Sequence, residues 1–522
     1  MVSAIPRSQF DPCRRRGSVA DHACYILFCS VVVACGLCWP AAVWTSEPGD
    51  TSAVATIADA LENRNWESAR ELLEQKEDPS IAQADGTTAL HWAVFHDRPE
   101  LIAKLLAQGC VPDVTNRYAV SPLALACENG SAKATTLLLE AGADPNLDLP
   151  GRVSPMMLAA RTGVLECVEL LAKHGAEVDQ AERRKQTALM WAAAEGHVEV
   201  VQFLVSSGAD LDRDLDSGFS PLMFAVRNGR AEVVRALIES GADVNEQMNP
   251  KRTGGRHPRR GMSALHLAIE NGHYELGEEL LKLGADPNDQ RCGFTPLHNL
   301  TWVRKPPRGD NVDGAPPPIG SGNMTSLQFI RVLVENGADV NARLKKGSSG
   351  RGKMSHKGAT PFLFASRRDD IPMMKLLLEL GADPTIPNVD NCTPLLVAAG
   401  IGTLAPGEEA GTEEEALEAV ELLLSLGADI NHVDDNGETA MHGATYKSLP
   451  RMVNYLAVRG ADVNVWNQKN KHGWTPTLIA EGHRPGNFKP AAATLTAVYR
   501  QLRANGITPP PKTPRQRRKG YN

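Results

Sequence analysis

The chain has 522 residues, a formal net charge of −7, 22% charged residues and 5% aromatic ones. That balance does not by itself point to nucleic acid. Length alone suggests three or four domains at roughly 100–200 residues each, an expectation that the internal repeats replace.

The N-terminus is a sequence of its own kind. Arg14, Arg15 and Arg16 precede an uncharged apolar run from Ala23 to Trp44, with the small residues Ala41 and Ala42 near its end and a polar stretch from Ser46 to Asp50 after it. A basic region, an apolar core and a small-residue exit predict an export signal over residues 1–45 and a linker over 46–53. The run of roughly twenty apolar residues also fits a retained membrane anchor through residues 23–44. Val32-Val33-Ala34-Cys35 resembles the box before a bacterial lipoprotein cysteine. Each alternative predicts an exported, periplasmic or envelope-associated protein.

From residue 54 to residue 505 two phrases recur in step. Gly-Ala-Asp, or a close variant, starts at Gly109, Gly142, Gly175, Gly208 and Gly241, 33 residues apart, and again at Gly284, Gly337, Gly381, Gly427 and Gly460. Thr/Ser-Pro/Ala-Leu/Met opens at Thr88, Ser121, Ser154, Thr187 and Ser220, again 33 apart, with relatives at Ser263, Thr295, Thr360, Thr393, Thr439 and Thr475. The hydroxyl and proline mark a helix start, and the glycine marks where a second helix stops. One unit is therefore helix, tight turn, helix, extended turn.

With its 33-residue period and phrases such as Thr88-Ala89-Leu90-His91, the chain resembles an ankyrin-repeat protein. The expected fold is an all-α solenoid of about twelve helix-turn-helix units with hairpin-like turns, about 100 Å long at 8–10 Å between adjacent helices. Residues 57–73 read as an opening unit and 475–505 as a closing one.

Four intervals exceed 33 residues. Residues 248–260 and 343–357 follow the Gly-Ala-Asp phrase and predict basic fingers along the turn edge, carrying Arg252, Arg256, Arg259 and Arg260, then Arg343, Lys345, Lys346, Arg351 and Lys353. Residues 302–325 and 400–415 fall between the helices of a unit and are expected on the opposite edge; the second carries Glu408, Glu409 and Glu413 to Glu415. The result expected is a scaffold polarised between a basic and an acidic edge. The stretches 303–307, 466–474 and 481–488 resemble segments of exported bacterial ankyrin-repeat proteins, with no chemistry attached.

The resemblance also implies a concave binding face on the first helices, offering Phe95, Arg161, Arg227, Arg367, Arg368, Tyr446 and Lys447, with Tyr118, Arg183, Arg184 and Trp466 at turn tips. Tyr, Trp and Arg dominate interface energetics. His91, His266, His298 and His442 recur at one repeat position, which assigns them structural work. Cys110, Cys127, Cys167, Cys292 and Cys392 are scattered without metal spacing. Residues 506–522 form a basic tail, read as disordered.

These features predict a non-enzymatic, cofactor-free and metal-free scaffold for a protein partner. The alternatives are a binder of anionic envelope polysaccharide or lipid headgroups and, more remotely, an enzyme built on the repeats. Nucleic acid is not expected, because the fingers lack aromatic platforms.

Overall fold

The computed structural model describes residues 56–252, 260–306, 316–347, 354–407, 409–484 and 489–511. The expected export segment, the linker and most of the tail lie outside the described residues. Among the described residues no helix is long and apolar enough to cross a membrane.

Among the described residues twelve helix pairs run from Ile57–Glu62 with Trp66–Glu74 to Pro476–Ala480 with Ala492–Ala504, and a one-turn helix, Val463–Trp466, makes twenty-five helices there. The local signals act as read. Ser121, Ser154, Thr187, Ser220 and Thr360 each accept a hydrogen bond from the amide three residues on, and six first helices have proline in their first turn beside such a cap; a seventh, after Thr393, has the proline without the cap bond. The glycines of the Gly-Ala-Asp phrase hold φ between 89° and 108°, a left-handed stop that would strain any other residue.

First helices stack on first helices and second on second, and the first-helix layer packs more closely. Closer packing on one side curves the stack, so the first helices form its inner face. The core is one continuous seam of Leu, Ala, Val, Ile and Met shared between neighbouring units, as expected of repeats that cannot bury an apolar face alone.

The extended turns add two ladders. At the tips, an amide of one turn donates to a carbonyl of the turn before, as Arg117 does to Asp85, Arg183 to Gly151, Lys251 to Asp216 and Lys471 to Asn436. At the turn bases, a side chain bridges forward. The Asn146 amide donates to Gly175 O at 3.0 Å, while its oxygen accepts from Glu177 N at 2.8 Å.

Both basic fingers are antiparallel hairpins at their roots. Met248 N donates to Met262 O and Gly261 N to Met248 O; Leu344 N donates to Ala359 O and Gly358 N to Leu344 O. Met248, Met262, Leu344 and Met354 are buried there, so apolar packing anchors each root.

The inner face and its candidate docking surface

The repeating histidines are structural. His91, His266, His298 and His442 each accept at Nδ1 from the hydroxyl of Thr88, Ser263, Thr295 or Thr439. Each donates from Nε2 to a carbonyl at the end of the next turn, Val120, Phe294, Ala359 or Gln468. A carbonyl can only accept, which fixes the proton on Nε2. Burial holds the last three rings down at about 4, hence neutral.

On the N-terminal half the inner face is open. Trp92, Leu125, Trp191 and Phe224 are half-buried at equivalent positions of four first helices, and Leu158, at that position of the helix between the second and third of them, is buried. Phe95 is 39% and Tyr118 58% exposed. Trp92 stacks on His96 and meets Phe95 edge-on, and Arg161 lies 5.3 Å from the Trp191 ring while its guanidinium pairs with Glu128 at 2.7 Å. Arg183, Arg184 and Arg227 are exposed. Among the described residues no insertion of the chain covers this half.

The C-terminal half is filled by the chain itself. The loop between the helices Pro394–Ala399 and Glu413–Ser425 crosses the inner face instead of emerging on the opposite edge. A Cβ at Gly402 would lie 3.1 Å from Met354 at the root of the second finger, and Arg367 binds Gly402 O at 3.2 Å. Arg367 also touches His356 and lies 3.9 Å from Glu409. Arg368 donates to Lys305 O at 2.6 Å, and burial pushes its guanidinium down to about 10. The Arg367 and Arg368 side chains, expected to face a partner, therefore serve internal contacts.

Tyr446 and Lys447 need the same correction, at 3% and 7% exposed. The Tyr446 hydroxyl donates to Glu438 at 2.8 Å, and Lys447 pairs with the buried Asp369 beneath Gly400 and Gly411. Trp466 is not a turn tip. Asp462 accepts from Asn464 N and starts the short helix Val463–Trp466, which turns the indole inward to 2% exposure.

The acidic edge is also consumed. Glu415 pairs with Lys305 at 2.8 Å and Glu414 with Arg451 at 3.0 Å, and Glu413 accepts from Arg451 N at 2.7 Å; Glu408 lies outside the described residues. The segments without an assigned chemistry turn out to be pins. Arg304 grips Asp370 at 2.8 Å, Lys305 bonds Asp369 O at 2.8 Å, and Arg484 bonds Tyr446 O at 2.7 Å. The described end of the 302–325 insertion folds back onto an earlier unit: Ser321 meets the His273 ring, and Gly320 lies so close to Gly272 O that a Cβ there would be 2.0 Å away.

On the fingers, Arg256, Arg259, Arg351 and Lys353 lie outside the described residues. Lys251 is paired with Asp216 at 2.6 Å, and Arg343 is held by Gly358 O and Pro387 O. Arg252, Arg260, Lys345, Lys346 and Lys357 are exposed, with no acidic partner among the described residues. The turn between the fingers floors an open recess of about 560 Å³ lined by Asn245, Asp286, Asn288, Asp289, Gln290, Arg291 and Lys345. No group of three or more His, Cys, Asp or Glu side chains is placed to hold a metal among the described residues.

Models of ankyrin repeats match residues 57–148, 156–248 and 410–488 in tandem and 260–291 and 357–389 singly. The unit split by the 302–325 insertion is left between them. An ankyrin repeat and KH domain-containing protein of Caenorhabditis briggsae is 32% identical over 169 residues, 29% of this chain and 6% of that one. A potassium channel of Arabidopsis thaliana is 30% identical over 221 residues, 32% of this chain and 25% of that one. The chain thus spans a quarter or less of these relatives. The human ASB11 ankyrin repeat domain aligns with a TM-score of 0.39 at 26% identity, over 44% of this chain and 98% of that one.

Proposed function

Because the chain belongs to the ankyrin-repeat family, we propose that it is a protein-binding scaffold whose docking surface is the open N-terminal half of its inner face. One observation carries this reading. The chain's own insertions fill the inner face from Arg304 to Arg484, while the face from Trp92 to Arg227 is bare. Its exposed Phe95 and Arg227, with Tyr118 at a neighbouring turn tip and the half-buried Arg161, are of the types that supply interface anchors. At 8–10 Å per unit the open stretch is about 40–50 Å long, room for a folded partner or an extended segment.

The test is a binding measurement with a partner isolated on the full chain. Phe95→Ala with Tyr118→Ala weakens affinity by about tenfold or more at an unchanged melting temperature. Arg367→Ala lowers the melting temperature and leaves affinity alone. Unchanged affinity in the double variant rules the open half out.

A second reading, an anionic ligand on the fingers, draws on Arg252, Arg260, Lys345, Lys346 and Lys357, exposed and without an acidic partner among the described residues. It predicts binding that weakens steeply with salt and is lost when Lys345 and Lys346 become Gln. Export of the chain is part of the same proposal; mass analysis of the protein from its native source checks it by showing whether residues 1–45 are cleaved, lipidated or kept.

A further inference from the structure

The base ladder of the turns contains a slot that the chain leaves empty. In five units an asparagine four residues after the glycine bridges to the next unit with both ends of its carboxamide. Asn146, Asn245, Asn288, Asn341 and Asn431 donate to the carbonyls of Gly175, Gly284, Gly337, Gly381 and Gly460. They accept from the amides of Glu177, Asp286, Asp339, Asp383 and Asp462. Each slot is therefore one backbone acceptor and one backbone donor, spaced for a primary carboxamide.

Asp113 and Asp179 fill only the donor side, accepting from Asp144 N and Asp210 N, because a carboxylate has no proton for the carbonyl. Ser80, Asp212 and Thr385 make neither bond. At Thr385 a cavity accompanies the gap. Its hydroxyl and amide turn back to Asp383 at 2.6 and 2.8 Å, and Gly427 O and Asp429 N have no hydrogen-bond partner among the described residues. A cavity of about 130 Å³ opens there between Pro384, Thr385 and the Gly427–Asp429 turn.

The other walls suit the stem of the same group. Pro394, Leu395, Leu423 and Leu426 supply apolar surface, and Leu426 is 43% exposed at its edge. The Thr393 Oγ1 in the wall is buried and unpartnered, although equivalent hydroxyls in other units cap their helix. The volume is well above the ~30 Å³ that one water takes in the liquid, so the cavity admits a side-chain head group.

We propose that this cavity is a binding site for a primary carboxamide on a short aliphatic stem, the side chain of an asparagine or glutamine presented by a peptide. The ligand donates to Gly427 O and accepts from Asp429 N, repeating what Asn341 does one unit earlier. The chemistry disfavours aspartate, which accepts from the amide as Asp113 and Asp179 do but cannot donate to the carbonyl, and excludes leucine, which can do neither. The site lies among the turns and does not depend on docking at the inner face.

Thr385→Asn supplies the missing carboxamide from within the chain and provides the test. The probe is N-acetyl-asparagine methylamide, followed by ligand-observed saturation-transfer NMR on the full chain, with the aspartate analogue alongside. The wild-type chain is expected to transfer saturation to the asparagine probe and less to the aspartate one, which can make only one of the two bonds. Thr385→Asn reduces binding by about tenfold, equivalent to ~1.4 kcal/mol, and raises the melting temperature, which shows that the variant is folded. Leu426→Trp, which blocks the mouth from an exposed position, gives the same loss; Thr385→Ser leaves both backbone groups open and keeps the signal. No transfer in the wild type, equal transfer in Thr385→Asn, or equal transfer to both probes overturns the site.

Discussion

At the scale of single residues, burial governs the polar groups of the C-terminal half. Glu438, 7% exposed, is pushed up to about 7 by burial and by neighbouring Asp434, against hydrogen bonds from Tyr446 and Asn470. Its folded value lies above the unfolded value of about 4.3, so the folded chain keeps a proton that the unfolded chain has lost. The stabilisation is complete below about pH 4 and disappears as pH rises through 7. Glu438→Gln therefore removes a loss on the order of 1–3 kcal/mol between pH 5 and pH 8, measured by denaturant unfolding at both values. Lys447→Met leaves the Asp369 carboxylate buried without its partner, which costs about 3–5 kcal/mol at pH 8. Burial pushes Asp369 up to about 6, so the cost shrinks at pH 5, where the carboxyl takes a proton.

Glycine and histidine show why repeat identity and site identity differ at this scale. A Cβ at Gly163 would enter the His197 ring at 2.2 Å, and that ring in turn bonds Arg161 O. Such residues recur because each unit must seat on the last. Arg161 and Arg227 vary between units because nothing in the stack prescribes them.

Among elements, the turns join neighbouring units by hydrogen bonds where the helices join them by the apolar seam. Asn341 carries both bonds of its slot, and Asn341→Thr should cost about 1–3 kcal/mol at a net 0.5–1.5 kcal/mol per hydrogen bond. A melting temperature equal to wild type would show that water replaces the carboxamide without loss. The fingers and the inter-helix loops, both insertions in sequence, differ as elements. A finger is a hairpin on a buried root, whereas the loop after Ala399 is held by side chains from the units on either side of it, Arg367 and Asp369 from one and Lys447 from the other.

Over the whole molecule, a stack contacts only its neighbours and can open at its weaker interfaces. The base ladder is interrupted within the stack at Asp212 and at Thr385. Native-state hydrogen exchange should therefore resolve protection blocks whose boundaries fall near residues 208–216 and 381–394, and one uniform protection level along the chain would refute this division. Between those gaps lie both fingers and the recess between them. The open docking half lies mainly before the first gap, so a partner bound there stabilises the first block before the others.

The sequence by itself determined the class of the fold, its twelve units, their boundaries and the places where insertions enter, because each rests on local rules. A hydroxyl caps a helix, a glycine takes positive φ, and a 33-residue period fixes what must lie beside what. It also marked residues 303–307 and 481–488 as unlike the repeat, without saying what they hold. The tertiary structure alone decided which inner-face residues stay open. Phe95 and Tyr118 remain exposed, while Tyr446 and Lys447, equally plausible by register, are buried. The physical reason is that their exposure depends on where an insertion lands, and that is set by partners far away in sequence: Asp369 with Lys447, Lys305 with Glu415, Arg484 with Tyr446. The empty slot at Thr385 was legible only as a missing asparagine; that a cavity opens there is a property of two packed turns.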